Sequence, residues 1–125
     1  LNTPSGFAWW VAVLVLRWIE SCGGLESIAK QNEKKANLLY GCIDGSDFYT
    51  NRVQSASRSV INIPFSTPDK GLDSQFVQQA EAQGLLGLKG HRAVGGLRAS
   101  LYNAIDQSAV EVLVEFMREF ERSHG

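Results

Sequence analysis

Cysteine and histidine are scarce in this chain, with 2 of each among 125 residues. Cys22 and Cys42 form no CxxC pair, and no histidine falls at metal-ligand spacing from them, so no metal site is predicted. No spacing calls for a disulfide either. Both thiols lie near the ends of apolar-periodic segments, which suits buried or half-buried free cysteines in a reducing compartment such as the cytoplasm. Excess charge of either sign is also missing: 12 basic and 13 acidic side chains leave a formal net charge of -1. Wrapping a nucleic acid needs a clear basic surplus, so no nucleic-acid partner is expected and any anion site has to be local. Long apolar runs are absent as well. The stretch from Phe7 to Leu16, stopped by Arg17, is about half of the roughly 20 residues that a membrane-spanning helix needs. No basic segment precedes it and no small-residue cleavage site follows it, so it is neither a membrane span nor a secretory signal. There is no internal repeat. The chain begins at Leu1 without a methionine, which fits a cut upstream.

What is present is the balance of a globular domain, 44% apolar and 20% charged, long enough to bury a core unaided. After the turn-forming Asn2-Thr3-Pro4-Ser5-Gly6, residues Phe7 to Ser21 read as a helix apolar nearly all round, which needs cover on most sides. Gly23-Gly24 ends it. Covering it implies a partner domain or subunit, so residues 1–24 are read as an opening loop and connecting helix and residues 25–125 as a domain of their own. Leu25, Ile28, Ala29, Ala36, Leu39, Tyr40 and Ile43 recur at helical spacing, with Lys30, Glu33, Lys34 and Lys35 expected on a solvated face. A turn follows at Asp44-Gly45-Ser46-Asp47, then a short extended piece at Phe48-Tyr49. Arg58 to Phe65 reads as a strand that Pro64 confines to an edge. A third helix carries Leu72, Phe76, Val77 and Ala80 and stops at Gly84. Leu85 to Lys89 reads as a short strand, Gly90 to Gly96 as a loop and Leu97 to Asn103 as a strand. A last helix, capped by Asp106 or Ser108, buries Val110, Leu113, Met117 and Phe120; Ser108 with Glu111 fits a capping box. The order α-α-β-α-β-β-α predicts an α+β fold, a small antiparallel or mixed sheet with helices packed on one side.

The densest chemical constellation runs from Lys89 to Arg98: two arginines, a histidine, a lysine, and Gly90, Gly95 and Gly96. Guanidinium groups grip phosphate or carboxylate with paired bonds. Glycines let backbone approach a ligand and take unusual dihedrals. In the predicted strand, Leu97, Ala99 and Leu101 face one way and Arg98, Ser100 and Tyr102 the other. Two readings remain open on the residues alone: an anion-binding loop, or a surface loop with scattered basic side chains. Arg98 is the least ordinary position, because a charge between apolar strand neighbours needs a partner. Asp44, Asp47, Asp69 and Asp73 are turn and cap residues. His124 lies beside the terminus and is expected to be unstructured. Trp9, Trp10 and Trp18 are read as packing residues.

The run Gly90-His91-Arg92-Ala93-Val94-Gly95-Gly96-Leu97-Arg98-Ala99-Ser100-Leu101-Tyr102-Asn103-Ala104 resembles the signature near the end of the phosphoserine aminotransferase family. So do Arg58-Ser59 with Asn62-Ile63-Pro64-Phe65, the segment from Phe116 to Gly125, and the opening Asn2-Thr3-Pro4. The resemblance covers the chain from end to end. It departs at Ala93, where the family usually has serine, at Leu97, where it has methionine, and at Ile105-Asp106, where it has Met-Pro.

That resemblance implies a fold-type-I, class-V pyridoxal-phosphate enzyme. It makes residues 1–24 the connection to a large domain and residues 25–125 the small domain. The implied reaction moves an amino group between L-glutamate and 3-phosphohydroxypyruvate in serine biosynthesis. In the family, the residue matching Arg98 binds the substrate carboxylate. Those matching His91 and Arg92 bind the substrate phosphate, and those matching Asn2 and Thr3 reach the cofactor phosphate in the partner subunit of a homodimer. The cofactor also needs a Schiff-base lysine. The family's lysine lies upstream on the large domain, so this chain is expected to lack it and to be inactive alone. The alternatives are an autonomous anion-binding or regulatory α+β module, and a class-V aminotransferase with another substrate.

Overall fold

A computed structural model describes residues 3–125. The chain divides into two compact units, one running to Gln31 and the other from Asn32 to Gly125.

The first unit carries α1, Gly6–Ser21, and the start of α2, Gly24–Asp44. Ser5 is the N-cap of α1, and Cys22 closes its last turn, with its N–H shared by Trp18 and Ile19 carbonyls. Gly23 and Gly24 then take φ of +92 and +79, the left-handed region that only glycine enters cheaply, and the helical path breaks there. No residue of α1 is buried; Phe7 is 75% and Trp9 68% exposed. The helix is apolar nearly all round, interrupted by Arg17 and Glu20, and none of its residues is buried. No helix among the described residues is long and apolar enough to cross a membrane.

The second unit is α+β. It contains the rest of α2, β1 (Asn62–Phe65), α3 (Lys70–Ala82), β2 (Lys89–His91), β3 (Gly95–Ser100) and α4 (Gln107–His124). The three strands lie in the order β1-β3-β2, all antiparallel. β1 sits at an edge, where Pro64 is tolerated because no further named strand needs its missing N–H. β1 is shorter than its β-branched composition suggests. The Ser59 hydroxyl accepts from the Ile61 and Asn62 N–H groups, and this local turn competes with a ladder before Asn62. Likewise Leu85 to Leu88 is irregular and the strand begins only at Lys89, while β3 starts two residues earlier than its apolar alternation indicates and ends at Ser100.

Alternation puts Ile63, Phe65, Leu97 and Ala99 on the core face of the sheet, each at most 4% exposed. Phe76 of α3 packs edge-on to Tyr49, Phe65, Phe116 and Phe120 at the centre of this core. Tyr49 keeps its hydroxyl satisfied by donating to the Met117 carbonyl at 2.7 Å, and burial pushes its acidity far down.

Four expectations fail for local reasons. Lys35 is not solvated: it is 2% exposed. It lies between Asn32 and Leu39 at helical spacing, on the buried stripe rather than opposite it. Its ammonium donates to the Tyr102 and Ile105 carbonyls, both at 2.9 Å. Burial pulls its pKa below the ordinary lysine range, with Asp106 opposing. Asp44 is more than a turn residue, because Arg58 grips it through both terminal nitrogens and holds its carboxyl below the usual range. His124 is ordered: α4 continues to it, its ring stacks on Phe120 at 4.1 Å, and Nδ1 lies 2.9 Å from the Phe120 carbonyl. The N-cap of α4 is Asp106, without a side-chain cap bond. Ser108 forms no capping box, since Glu111 accepts from Gln107 instead.

Lys35 fastens the segment after β3 to α2, together with Asn32, whose amide donates to Asn103 at 2.8 Å. Lys35→Met strands two carbonyls and is expected to cost about 1–3 kcal/mol. Lys34→Met, at an exposed position one residue away, is expected to stay within about 0.5 kcal/mol. Denaturant unfolding of the two variants checks the contrast.

Candidate functional site

β2 and β3 form a hairpin in which His91 pairs with Gly95, leaving Arg92, Ala93 and Val94 as the loop. The Val94 N–H donates to the His91 carbonyl at 2.9 Å, closing a turn, and Gly95 follows with φ +78. That left-handed residue returns the chain to strand geometry. Gly90 is demanded for space rather than dihedral: a Cβ there would lie 2.2 Å from the Gly95 carbonyl oxygen and 2.6 Å from that of Gly96. The bare backbone lets the two strands meet closely just where the basic residues emerge.

His91 and Arg92 are both exposed at this tip. The His91 Nδ1 accepts from the Ala93 N–H at 3.2 Å. A neutral ring with Nδ1 so used carries its proton on Nε2, which is free to donate outward. The Ala93 backbone thus orients the His91 ring. Lys89 and His91 share the face of Leu97 and Gly95 by register, the side of the sheet on which α3 packs. There the hairpin borders a groove of about 300 Å³ whose other wall is α3, from Lys70 to Val77. His91, Arg92, Lys89 and Lys70 all line it. Lys70 lies outside the Lys89–Arg98 constellation that the sequence singles out. Its signal was Asp69, which caps α3 by accepting from the Gly71 and Leu72 N–H groups and makes Lys70 the first helical residue.

Arg98 emerges on the other face of β3, opposite Pro64. Its own N–H is tied to the Leu88 carbonyl at 2.8 Å. Its Nε is buried with no hydrogen-bond partner among the described residues. Arg58 also has an orphaned Nε, but its terminal nitrogens hold Asp44. Arg98 makes no ion pair with any described residue, so its half-buried guanidinium is a donor fork without an acceptor. The fold thus gathers His91 and Arg92 on one groove and sets Arg98 behind them across the glycine-thin end of β3. Thr3 is exposed ahead of α1, in the other unit; Asn2 lies outside the described residues. No group of three or more metal-ligating side chains occurs among the described residues.

Comparison with known proteins adds a family. The family model described as aminotransferase class-V matches residues 1–113. The phosphoserine aminotransferase of Azotobacter vinelandii is 52% identical over 124 residues, covering 99% of this chain and 34% of that protein. That of Shewanella sp. is 53% identical over the same shares. Among solved structures, the phosphoserine aminotransferase from Bacillus circulans subsp. alkalophilus superposes with a TM-score of 0.95 at 49% identity, covering 99% of this chain and 35% of that one. A pyridoxal-phosphate-bound phosphoserine aminotransferase from Trichomonas vaginalis gives 0.88 at 41% identity, covering 94% and 34%. The chain spans about a third of the length of the curated relatives it matches.

Two glycine substitutions of opposite sign test the hairpin geometry. Gly90→Ala drives a Cβ into backbone and is expected to cost about 1–3 kcal/mol or more, with faster amide exchange at Val94. Gly41→Ala, exposed in α2 with no heavy atom within 4 Å of the added carbon, is expected to stabilise by about 0.4–1 kcal/mol. Thermal unfolding and amide exchange measure both.

Proposed function

The chain belongs to the class-V aminotransferase family, and on that ground we propose that it is the carboxyl-terminal part of a pyridoxal-phosphate-dependent phosphoserine transaminase. The reading assigns residues 1–24 to the connection with a large cofactor-binding domain and residues 25–125 to the small domain. It places the enzyme in the cytoplasm as a homodimer, moving an amino group between glutamate and 3-phosphohydroxypyruvate in serine biosynthesis.

The observation that carries it is the pairing of two anion-seeking features on one hairpin. Arg98 offers an unpartnered guanidinium from a rigid strand. His91 and Arg92 offer donors from the adjoining tip. A substrate with a carboxylate at one end and a phosphate at the other suits that division. Arg98 would hold the α-carboxylate through two parallel bonds and so fix the α-carbon. His91, through Nε2, and Arg92 would hold the phosphate. A substrate with a single carboxylate would leave the His91-Arg92 pair without an anion, and a side-chain carboxylate such as glutamate's would use it less fully than a phosphate, which favours a phosphorylated substrate for one half-reaction. An autonomous regulatory module is disfavoured by α1, whose apolar surface has no burial.

The residues present also fit a share of the cofactor. Thr3 is exposed just ahead of α1, whose first turn carries no acidic side chain to repel a phosphate. Asn2 and Thr3 would there reach the cofactor phosphate of the partner subunit. When bound, pyridoxal phosphate supplies the electron sink that amino transfer requires. The lysine that attaches it is assigned to sequence outside this chain. Lys35 is buried and engaged with two carbonyls, while Lys30, Lys34, Lys70 and Lys89 are exposed.

Single-turnover kinetics of each half-reaction in the full-length protein test the division. Arg98→Ala removes a grip on the carboxylate that every substrate carries. It is expected to slow the glutamate and phosphoserine half-reactions comparably, by roughly one to two orders of magnitude for a lost charge-assisted contact. Arg92→Ala is expected to slow phosphoserine distinctly more than glutamate. Equal losses for both substrates in the Arg92→Ala enzyme would remove Arg92 as the phosphate reader.

A further inference from the structure

Folding brings Lys70, from the first turn of α3, and Lys89, from β2, onto the groove that His91 and Arg92 line. Among the described residues Asp73 supplies the one carboxylate on that groove, and its Oδ1 is spent on neutral donors, which leave its charge in place. Its Oδ1 accepts from the Thr67 N–H and the Thr67 hydroxyl, both at 2.9 Å. The N-terminus of α3 is spent too, since Asp69 accepts from the Gly71 and Leu72 N–H groups. Lys70, Lys89 and Arg92 form no ion pair among the described residues. Three full positive charges therefore line a groove of about 300 Å³ against the single carboxylate of Asp73, a local surplus of two. In a chain of net charge -1, this concentration is local and built by tertiary structure.

Resting on the preceding reading of the site, we propose that Lys70 and Lys89 are further anion-binding residues of this groove, and that they set its preference for a phosphate dianion over a carboxylate. The physical reason is the charge of the ligand. An ammonium is a compact point charge on a flexible stem, and its attraction scales with the ligand's charge rather than with bidentate geometry. Each lysine thus favours a phosphate monoester, which carries about -1.5 to -2 near neutral pH, over a monoanion by up to twofold in interaction energy. Arg92 and His91 orient the anion; the two lysines decide how much charge it must bear.

The test uses Lys70→Met, Lys89→Met and the double variant of the full-length protein, with Lys→Arg at each position as the conservative control. For each lysine lost, KM for O-phosphoserine is expected to rise about three- to tenfold, with the larger effect at low ionic strength. The loss falls on KM and not on kcat, glutamate is affected less, and the arginine variants recover most of the difference. Inorganic phosphate is expected to inhibit competitively against O-phosphoserine, and that inhibition weakens in parallel with the substrate effect. An unchanged phosphoserine KM in the double variant, or phosphate inhibition that is not competitive, overturns the proposal. Arg92→Ala separates it from the reading beneath it. A selective phosphoserine loss in Arg92→Ala with silent lysine variants rejects the lysine proposal alone. No selective loss in any of these variants rejects the phosphate site as a whole.

Discussion

Everything about the site depends on the hydrophobic alternation of β3. Leu97 and Ala99 are each 1% exposed on the core face, and β3 is hydrogen-bonded to a strand on both sides. A slip of one residue would turn Arg98 into the core among Ile63, Phe65 and Phe76 and expose Leu97. An unpaired guanidinium there would cost several kcal/mol. Apolar packing alone therefore fixes the direction in which the guanidinium leaves the sheet, and no loop has to hold it. A group so placed is held in position to meet an acceptor from outside the sheet.

The second constraint is steric. Gly90 lies so close to the Gly95 and Gly96 carbonyls that no side chain fits. Lys89 and Arg92 line the groove on the α3 side, with Arg98 on the opposite face. α3 is itself fixed by the Thr67–Asp73 bonds and by the aromatic contacts of Phe76. The groove is thus walled by two elements that the same core holds in place. This links the packing of the domain to the chemistry at its edge.

Much of this was legible in the sequence, for physical reasons that differ by element. Periodicity marked all four helices, because each except α1 has one buried stripe, and α1 stood out as apolar all round. Alternation marked the core face of β3 and the outward Arg98. What the sequence concealed were positions where tertiary neighbours overrule residue type. Lys35 carries a charge, yet sits on the Asn32–Leu39 stripe and is buried against carbonyls of the segment after β3. His124 is next to the terminus, yet stacks on Phe120. Lys70 is remote from the hairpin in sequence, and only the docking of α3 on the sheet reveals that it lines the same groove as His91.

The most direct measurement is a crystal structure of the full-length protein with O-phospho-L-serine bound. The account predicts the carboxylate on the Arg98 guanidinium and the phosphate on His91 and Arg92, within reach of Lys70 and Lys89. Density for the ligand with its phosphate away from the hairpin, or with Arg98 paired to a protein carboxylate, would contradict it.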